Sequence, residues 1–322
     1  MNIQQHKREK KALKRAYKRN VSARYELTMS PLWRLRSIHL LAKYLRITVA
    51  DLKQLSKDST YHCFIDETKP LKPRDIQEPT GMTMRVHYRL VRLLDSIKRP
   101  NFLHSATRKR SNITNADAHR GGENIISTDI QKFYESTTFT HVKEFFYKEL
   151  FWAHDLAKLM AKICTIDGHL PTGSCLSPLM SYFVHRQMFA DIEKQCVAKD
   201  LVVTLYVDDV TISGKQANKK LLLEIKKTIS KRGLFAHKDK VISNGHPAVV
   251  TGIIVSGDKL LLKNSQHKSI VELIDVVSSG DLTHEKKLIG KLAAAGAVQK
   301  QAAEKLNDML HRKQLASRHA VP

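Results

Sequence analysis

Leu201-Val202-Val203-Thr204-Leu205-Tyr206-Val207-Asp208-Asp209-Val210-Thr211-Ile212-Ser213 is the stretch on which the reading of this chain turns. Two β-branched runs meet at an acidic pair, the pattern of two strands joined by a tight turn. Two carboxylates at the centre of an otherwise apolar hairpin repel one another and lose hydration, and a bound cation removes that conflict. In an arbitrary protein an Asp-Asp pair is more often a plain turn. Adjacent residues on a strand point to opposite faces, so one of the two, Asp208, is expected to be the principal ligand. A second strand must then bring a further carboxylate. Asp129, closing the run Ile125-Ile126-Ser127-Thr128, is the candidate, with a helix cap as the plain alternative.

Phosphoryl transfer from a nucleoside triphosphate needs charge neutralised at both the attacking and the leaving oxygen, which a pair of divalent ions on carboxylate ligands supplies. The composition agrees with a polyanionic substrate. Lysine and arginine number 55 against 31 acidic residues, a formal charge of +24, and such an excess points to nucleic acid. Membrane surfaces also attract basic chains, but no apolar run approaches the roughly 18 residues of a spanning helix. The first 24 residues lack the apolar core of a secretory signal, and a cytoplasmic protein is expected. Cys63, Cys164, Cys175 and Cys196 show no Cys-x-x-Cys spacing, which argues against structural zinc and a disulfide framework.

Outward from the hairpin, 322 residues at 42% hydrophobic content can bury a sizeable core. Residues 7–55 show helical spacing through Leu32, Leu35, Ile38, Leu41 and Leu45. The prolines and Gly81 of 61–83 predict a small β-ribbon, and 84–97 a helix stopped by Pro100. A strand is expected over 124–130, a helix broken once over 141–164, another over 178–196, and one over 219–232. Two short strands are read at 249–255 and 259–262, followed by a helical bundle built on Ile270, Leu273, Ile274, Leu288, Leu292, Leu306 and Leu310.

Tyr206-Val207-Asp208-Asp209 resembles the signature hairpin of reverse transcriptases, and Asp129-Ile130-Gln131-Lys132-Phe133-Tyr134 resembles their first catalytic motif. Between them, Leu170-Pro171-Thr172-Gly173-Ser174-Cys175-Leu176-Ser177-Pro178 is similar to the family's nucleotide loop, with Thr172 where the family usually has glutamine. Asn115-Ala116-Asp117-Ala118-His119 and Val250-Thr251-Gly252 resemble two elements of the retron branch.

The resemblance implies an α+β right-hand polymerase. It divides into N-terminal helices and fingers (1–99), a first palm part (100–137), a fingers–palm connection (138–176), a second palm part (177–262) and a helical thumb (263–322). It implies catalysis by Asp129, Asp208, Asp209 and Lys240, the last with Lys238 and His237 as competitors. Two Mg²⁺ ions, or Mn²⁺, would be held by Asp129, Ile130, Asp208 and Asp209. The incoming nucleotide would meet Lys72, Arg74, Phe133, Tyr134, Thr172 and Gly173, with Tyr134 rejecting a 2′-hydroxyl by volume.

The partners implied are deoxynucleoside triphosphates, a cognate non-coding RNA (msr-msd) and its reverse-transcribed DNA. A companion effector protein in antiphage defence is a further one, and a membrane is not. Lys286, Lys287, Lys291, Lys300, Lys305, Arg312 and Lys313 in the thumb are the expected RNA contacts. The other readings are a group II intron maturase, for which the tail after Leu262 is short, and a nucleic-acid-binding assembly protein with a degenerate site. Ser174 and Cys175 lack a base-bearing partner motif for nucleophilic catalysis.

Overall fold

A computed structural model of the chain describes residues 3–17, 25–68, 73–243 and 245–319. The first helices are α1 (Ile3–Tyr17), α2 (Ile38–Leu45) and α3 (Val49–Leu55), followed by the ribbon β1 (Tyr61–Asp66) and β2 (Arg74–Pro79) and by α4 (Gly81–Asp95) and α5 (Asn112–Asp117). Next come β3 (Ile125–Ile130), α6 (Phe133–Ser136), α7 (Phe139–Glu144), α8 (His154–Cys164), α9 (Ser177–Val184) and α10 (Arg186–Val197). The hairpin β4 (Val202–Tyr206) and β5 (Asp209–Ser213) leads to α11 (Lys219–Ser230) and β6 (Ala236–Ile242). A meander of β7 (Ala248–Val250), β8 (Ile253–Ser256) and β9 (Lys259–Leu261) precedes α12 (Asn264–Ser278), α13 (Glu285–Val298) and α14 (Lys300–His319). Helices and antiparallel sheets in one chain make the expected α+β class.

Two compact units share this chain. The first comprises Met1–Asn101, Ile130–Ile192 and Lys226–His237; the second comprises Phe102–Asp129, Glu193–Ile225 and Lys238–Pro322. In the first unit, β1 and β2 pair antiparallel from Tyr61↔Pro79 to Asp66↔Arg74. The helices of this unit close on aromatic side chains, with Phe146 and Trp152 ring centroids 4.6 Å apart and Trp152 Nε1 donating to the Leu32 carbonyl. A residue as large as tryptophan is accommodated here because its one polar atom finds an acceptor.

In the second unit the sheet order is β4-β5-β3-β6. Residues 102–104 run along the free side of β4: Leu205 N–H donates to the Phe102 carbonyl and His104 N–H to the Leu205 carbonyl. That edge is therefore covered rather than left as a template for other strands. The C-terminal helices bury Ile270, Leu273, Ile274, Val277, Leu288, Leu292, Ala295, Ala303 and Leu306 together, each large side chain contributing about 2 kcal/mol of apolar transfer energy.

Two expectations are corrected, and one strand is additional to them. Residues 7–55 are not one helical run: Leu32 and Leu35 are buried in an irregular stretch, Arg34 takes φ 53, and α2 starts at Ile38 because the Ser37 side chain caps it by accepting from Leu40 N–H. The strand read over 249–255 is two strands, split by a turn in which Thr251 and Gly252 take φ 43 and 90. β6 was not anticipated, because its run Ala236-His237-Lys238-Asp239-Lys240-Val241-Ile242 lacks the apolar alternation that signals a half-buried strand. The break expected in 141–164 is present as a π-helical turn, Phe145–Glu149, before α8. Among the described residues no helix is long and apolar enough to cross a membrane.

Candidate active site

The acidic pair occupies the tip of the β4–β5 hairpin. Tyr206 pairs with Asp209, so Val207 and Asp208 alone form the turn. Val207 adopts φ 62, a left-handed conformation that a β-branched residue reaches only when its surroundings hold it there. Its N–H donates to Ser105 Oγ at 2.9 Å. Asp209 opens β5 and stands directly opposite Asp129 of β3. The two residues across an antiparallel pair project to one face, and the turn adds a third carboxylate beside them. This arrangement settles the facing problem posed by two adjacent aspartates: the strand carries Asp209, and the turn frees Asp208 from the strand's alternation.

Burial and then the Asp129 charge push Asp208 up to about 6. The same two causes raise Asp209, with Lys240 and then Lys238 acting against them. Neighbouring, partly buried carboxylates are stabilised by positive charge. Part of it comes from β6: Lys238 Nζ donates to Asp129 Oδ2 at 3.2 Å. Beside this contact, Thr128 Oγ1 donates to Asp239 Oδ1 at 2.7 Å, tying β6 to β3.

The donors are carboxylate oxygens only, the hard set that Mg²⁺ or Mn²⁺ takes, and burial, the first cause of the raised Asp208 carboxyl, keeps water from solvating its charge. Among the described residues no three His, Cys, Asp or Glu side chains already close on one point. The donor chemistry fits the ions; Asp129 is meanwhile occupied by Lys238. Ile130 ends β3 with its side chain fully buried, leaving only its backbone for a ligand. Of the basic residues near the carboxylates, Lys240 acts on Asp209 and Lys238 on Asp129. The second contact was legible only as competition among neighbouring cations.

In the first unit, Arg74 is exposed at the start of β2, opposite Asp66; Lys72 lies outside the described residues. Thr172 does not extend a free hydroxyl. Its Oγ1 donates to the Asp75 carbonyl at 2.7 Å and accepts from Gln77 N–H at 3.1 Å, so it clips the Leu170–Pro178 loop to β2. Gly173 continues the contact, its N–H donating to the Gln77 carbonyl at 3.1 Å. A Cβ there would stand 2.8 Å from Ile76 Cγ2 and 2.9 Å from Gln77 O, which is why glycine occupies the position. Phe133 is a core residue, its ring 5.5 Å from that of His185 and 6.2 Å from that of Phe189. Tyr134 is half-buried and stacks on Phe133.

The two retron-like elements, distant in sequence, converge in the second unit. Ala116 packs with Val250, Ile253, Val255 and Ile125 in one apolar cluster. Thr251 Oγ1 donates to the Asn112 carbonyl at 3.0 Å, and Asn115 Nδ2 donates to Thr251 Oγ1 at 3.4 Å. His119 is fully buried. In the C-terminal helices, Lys286, Lys287, Lys300, Lys305 and Arg312 are exposed. Lys291 reaches Ser269 Oγ, Lys300 faces Glu304 at 3.8 Å and Lys313 pairs with Asp275.

The profile of the family described as Reverse transcriptase (RNA-dependent DNA polymerase) matches residues 79–244, just over half of the chain, and those residues include all three aspartates. The chain is 24% identical over 281 residues to the Retron Ec86 reverse transcriptase of Escherichia coli, covering 84% of this chain and 88% of that one. It is 28% identical over 258 residues to the Retron Ec73 reverse transcriptase of the same organism, covering 73% and 82% respectively. The chain therefore belongs to the reverse transcriptase family, is of the retron type, and is an RNA-directed DNA polymerase.

Proposed function

We propose that this protein is a right-hand polymerase that copies a cognate structured non-coding RNA, msr-msd, into branched, RNA-linked single-stranded DNA. Synthesis begins from the 2′-hydroxyl of a guanosine in that RNA. The observation that carries this reading is the facing pair Asp129 and Asp209 with Asp208 in the adjoining turn, in a chain similar to retron reverse transcriptases along most of its length.

Asp129, Asp208 and Asp209, with the Ile130 backbone, hold two divalent ions, Mg²⁺ in the cell with Mn²⁺ as substitute. When bound, such ions neutralise the developing charge on the attacking and leaving oxygens. Burial keeps the carboxylates short of water, so each supplies its charge to the site rather than to solvent. Lys240, beside Asp209, is placed on the strand that borders the carboxylates and is the residue proposed to give a proton to the pyrophosphate. Arg74, with Lys72, engages the triphosphate. Tyr134 excludes a 2′-hydroxyl by its volume. Thr172 and Gly173 act through the backbone, by fixing the loop to β2.

The 1–99, 100–137, 138–176, 177–262 and 263–322 segments act as fingers, palm, connection, palm and thumb. The exposed Lys286, Lys287, Lys300, Lys305 and Arg312 contact phosphates of the cognate RNA. A cytoplasmic location and a companion effector in antiphage defence complete the reading.

The test is incorporation of labelled deoxynucleotides by purified protein given its neighbouring non-coding RNA and Mg²⁺, with a double Asp208→Asn, Asp209→Asn variant alongside. Product joined to RNA through a nuclease-resistant branch, from the wild type only, is the expected result. Unbranched extension of an added primer alone would reduce the reading to a generic reverse transcriptase.

A further inference from the structure

His119 makes two short hydrogen bonds to two different strands. Its Nδ1 lies 2.7 Å from Ser213 Oγ and its Nε2 lies 2.7 Å from Thr204 Oγ1. Ser213 closes β5, and Thr204 lies within β4. Side chains two residues apart share a face of a strand, so Ser213, Thr211 and Asp209 project together. Across the register Thr204 pairs with Thr211, Tyr206 with Asp209 and Ser127 with Thr211. One face of the sheet thus carries Asp129 and Asp209 at one end and the bridge made by His119 at the other.

The bridge is itself held in place. Gly122 lies so close to β5 that a Cβ on it would stand 2.9 Å from Ser213 Cβ. Further up the same segment, Asn115 and Asn112 are hydrogen-bonded to Thr251, and His119 N–H donates to the Ala116 carbonyl at 3.0 Å. The imidazole therefore meets the two hydroxyls from a fixed support. Burial of a neutral imidazole requires a partner for each ring nitrogen; what is particular here is that the two partners belong to two adjacent strands, Ser213 of β5 and Thr204 of β4.

We propose that His119 is a positioning residue of the polymerase: by cross-linking β4 to β5 behind the Val207–Asp208 turn it fixes the slide and twist of the hairpin, and so where Asp208 and Asp209 stand relative to Asp129. This rests on the assignment of those carboxylates as the catalytic site. Catalytic groups must be held to within about half an ångström to work. A two-residue turn with a strained Val207 does not supply that rigidity alone. The Ser105 contact restrains the tip, and His119 restrains the shaft.

The experiment uses the full-length protein with Thr204→Val, Thr204→Ser, Ser213→Ala and His119→Phe, measured for kcat and KM on a primed template. Mn²⁺ affinity is read separately from the ion-induced rise in melting temperature, and hydrogen exchange of the β4 and β5 amides is followed. Losing one hydrogen bond from the bridge should lower kcat about fivefold in Thr204→Val and in Ser213→Ala. KM for the nucleotide should stay within about twofold, Mn²⁺ should bind more weakly, and β4–β5 exchange should quicken. Thr204→Ser, which keeps the hydroxyl, should return kcat to within about twofold of wild type. Equal kcat in Thr204→Ser and Thr204→Val, or unchanged Mn²⁺ affinity in Thr204→Val, overturns the proposal. His119→Phe should show the largest loss of kcat; if it does not fold, the single-hydroxyl variants decide. An active Asp208→Asn protein would instead strike at the catalytic assignment, a separate failure.

Discussion

The second unit contains two hairpins whose turns are two residues long and whose first turn residue is β-branched at positive φ: Val207 at 62 in β4–β5 and Thr251 at 43 in β7–β8. They solve the same steric problem differently. At Thr251 the next residue is Gly252, which accepts φ 90 without cost, and the threonine hydroxyl is bonded on both sides, to Asn112 and from Asn115. At Val207 the side chain has no polar handle, the next residue is Asp208 rather than glycine, and the restraint is Ser105 accepting the Val207 N–H. The β7–β8 turn is held by its own side chain, whereas the β4–β5 turn is held by a neighbouring segment so that its second residue can be an aspartate. Strain of this kind is retained where function demands it. Here the residue that follows the strained Val207 is an aspartate, at the tip of the turn.

Removing the charge at that tip should have the largest consequence. Asp208→Asn with Asp209→Asn should reduce nucleotide incorporation by on the order of a thousandfold or more in a primer-extension assay. The fold should be as stable as wild type or more so, since mutual repulsion disappears. A loss of activity accompanied by unfolding would mean that the pair serves the hairpin and not the chemistry.

Acid should come next, through the histidine that supports the β4–β5 hairpin and its counterpart in the first unit. Burial holds His119 down at about 3 and His87 at about 4. His87 bridges Ser174 Oγ at 2.7 Å and the Ile163 carbonyl at 2.8 Å. Both groups are depressed below the value of an unfolded histidine, so the unfolded chain takes up protons first as pH falls. Their contribution is intact above about pH 6.5 and is lost progressively below it, by about 2 kcal/mol for each residue at pH 5. Urea unfolding at pH 7 and pH 5 measures this, and His119→Phe should remove about half of the pH 5 penalty.

A smaller effect separates the two turns directly. Thr251→Val keeps the shape but leaves the Asn115 amide and the Asn112 carbonyl without that partner, and should cost about 1–3 kcal/mol of stability. The reverse substitution, Val207→Thr, exchanges a methyl for a hydroxyl on a half-buried side chain and should change stability by less than about 0.5 kcal/mol. Equal costs at the two sites would erase the distinction drawn between them.

A small change in stability is also expected for Val207→Gly. Relief of the positive φ is offset by the freedom that glycine gives the unfolded chain, and the net effect on stability should stay within about 1 kcal/mol. Mn²⁺ affinity, followed by thermal shift, should nevertheless fall, because the turn that carries Asp208 becomes looser. Undiminished affinity would show that Ser105 and β4–β5 pairing restrain the aspartate without help from Val207.

Much of this was legible beforehand because it is local. Alternating β-branched residues give β4 and β5, and Asp129 at the end of its own β-rich run gives β3. The periodic leucines and isoleucines after Asn264 give the helical bundle. What was not legible lies in how segments pack. Leu32 and Leu35 keep a helical spacing while lying in an irregular stretch, since burial alone does not distinguish a helix face from a packed loop. β6 is charged along most of its length because its side chains work at the carboxylates instead of filling a core. Thr172, read as a nucleotide contact, has its hydroxyl engaged by the backbone of Asp75 and Gln77, a pairing across about a hundred residues that no pattern within the loop displays.

By itself, then, the order of residues supplied the acidic hairpin, a third aspartate on another β-rich run, a formal charge of +24 and the motifs that resemble those of reverse transcriptases. Tertiary structure alone decided which groups face one another. It set Asp209 against Asp129, turned Lys238 onto Asp129, and brought Asn115 to Thr251 and His119 to Ser213 and Thr204. Facing is a property of strand register and of turns at specified φ, and both are settled by contacts between segments that lie far apart along the chain.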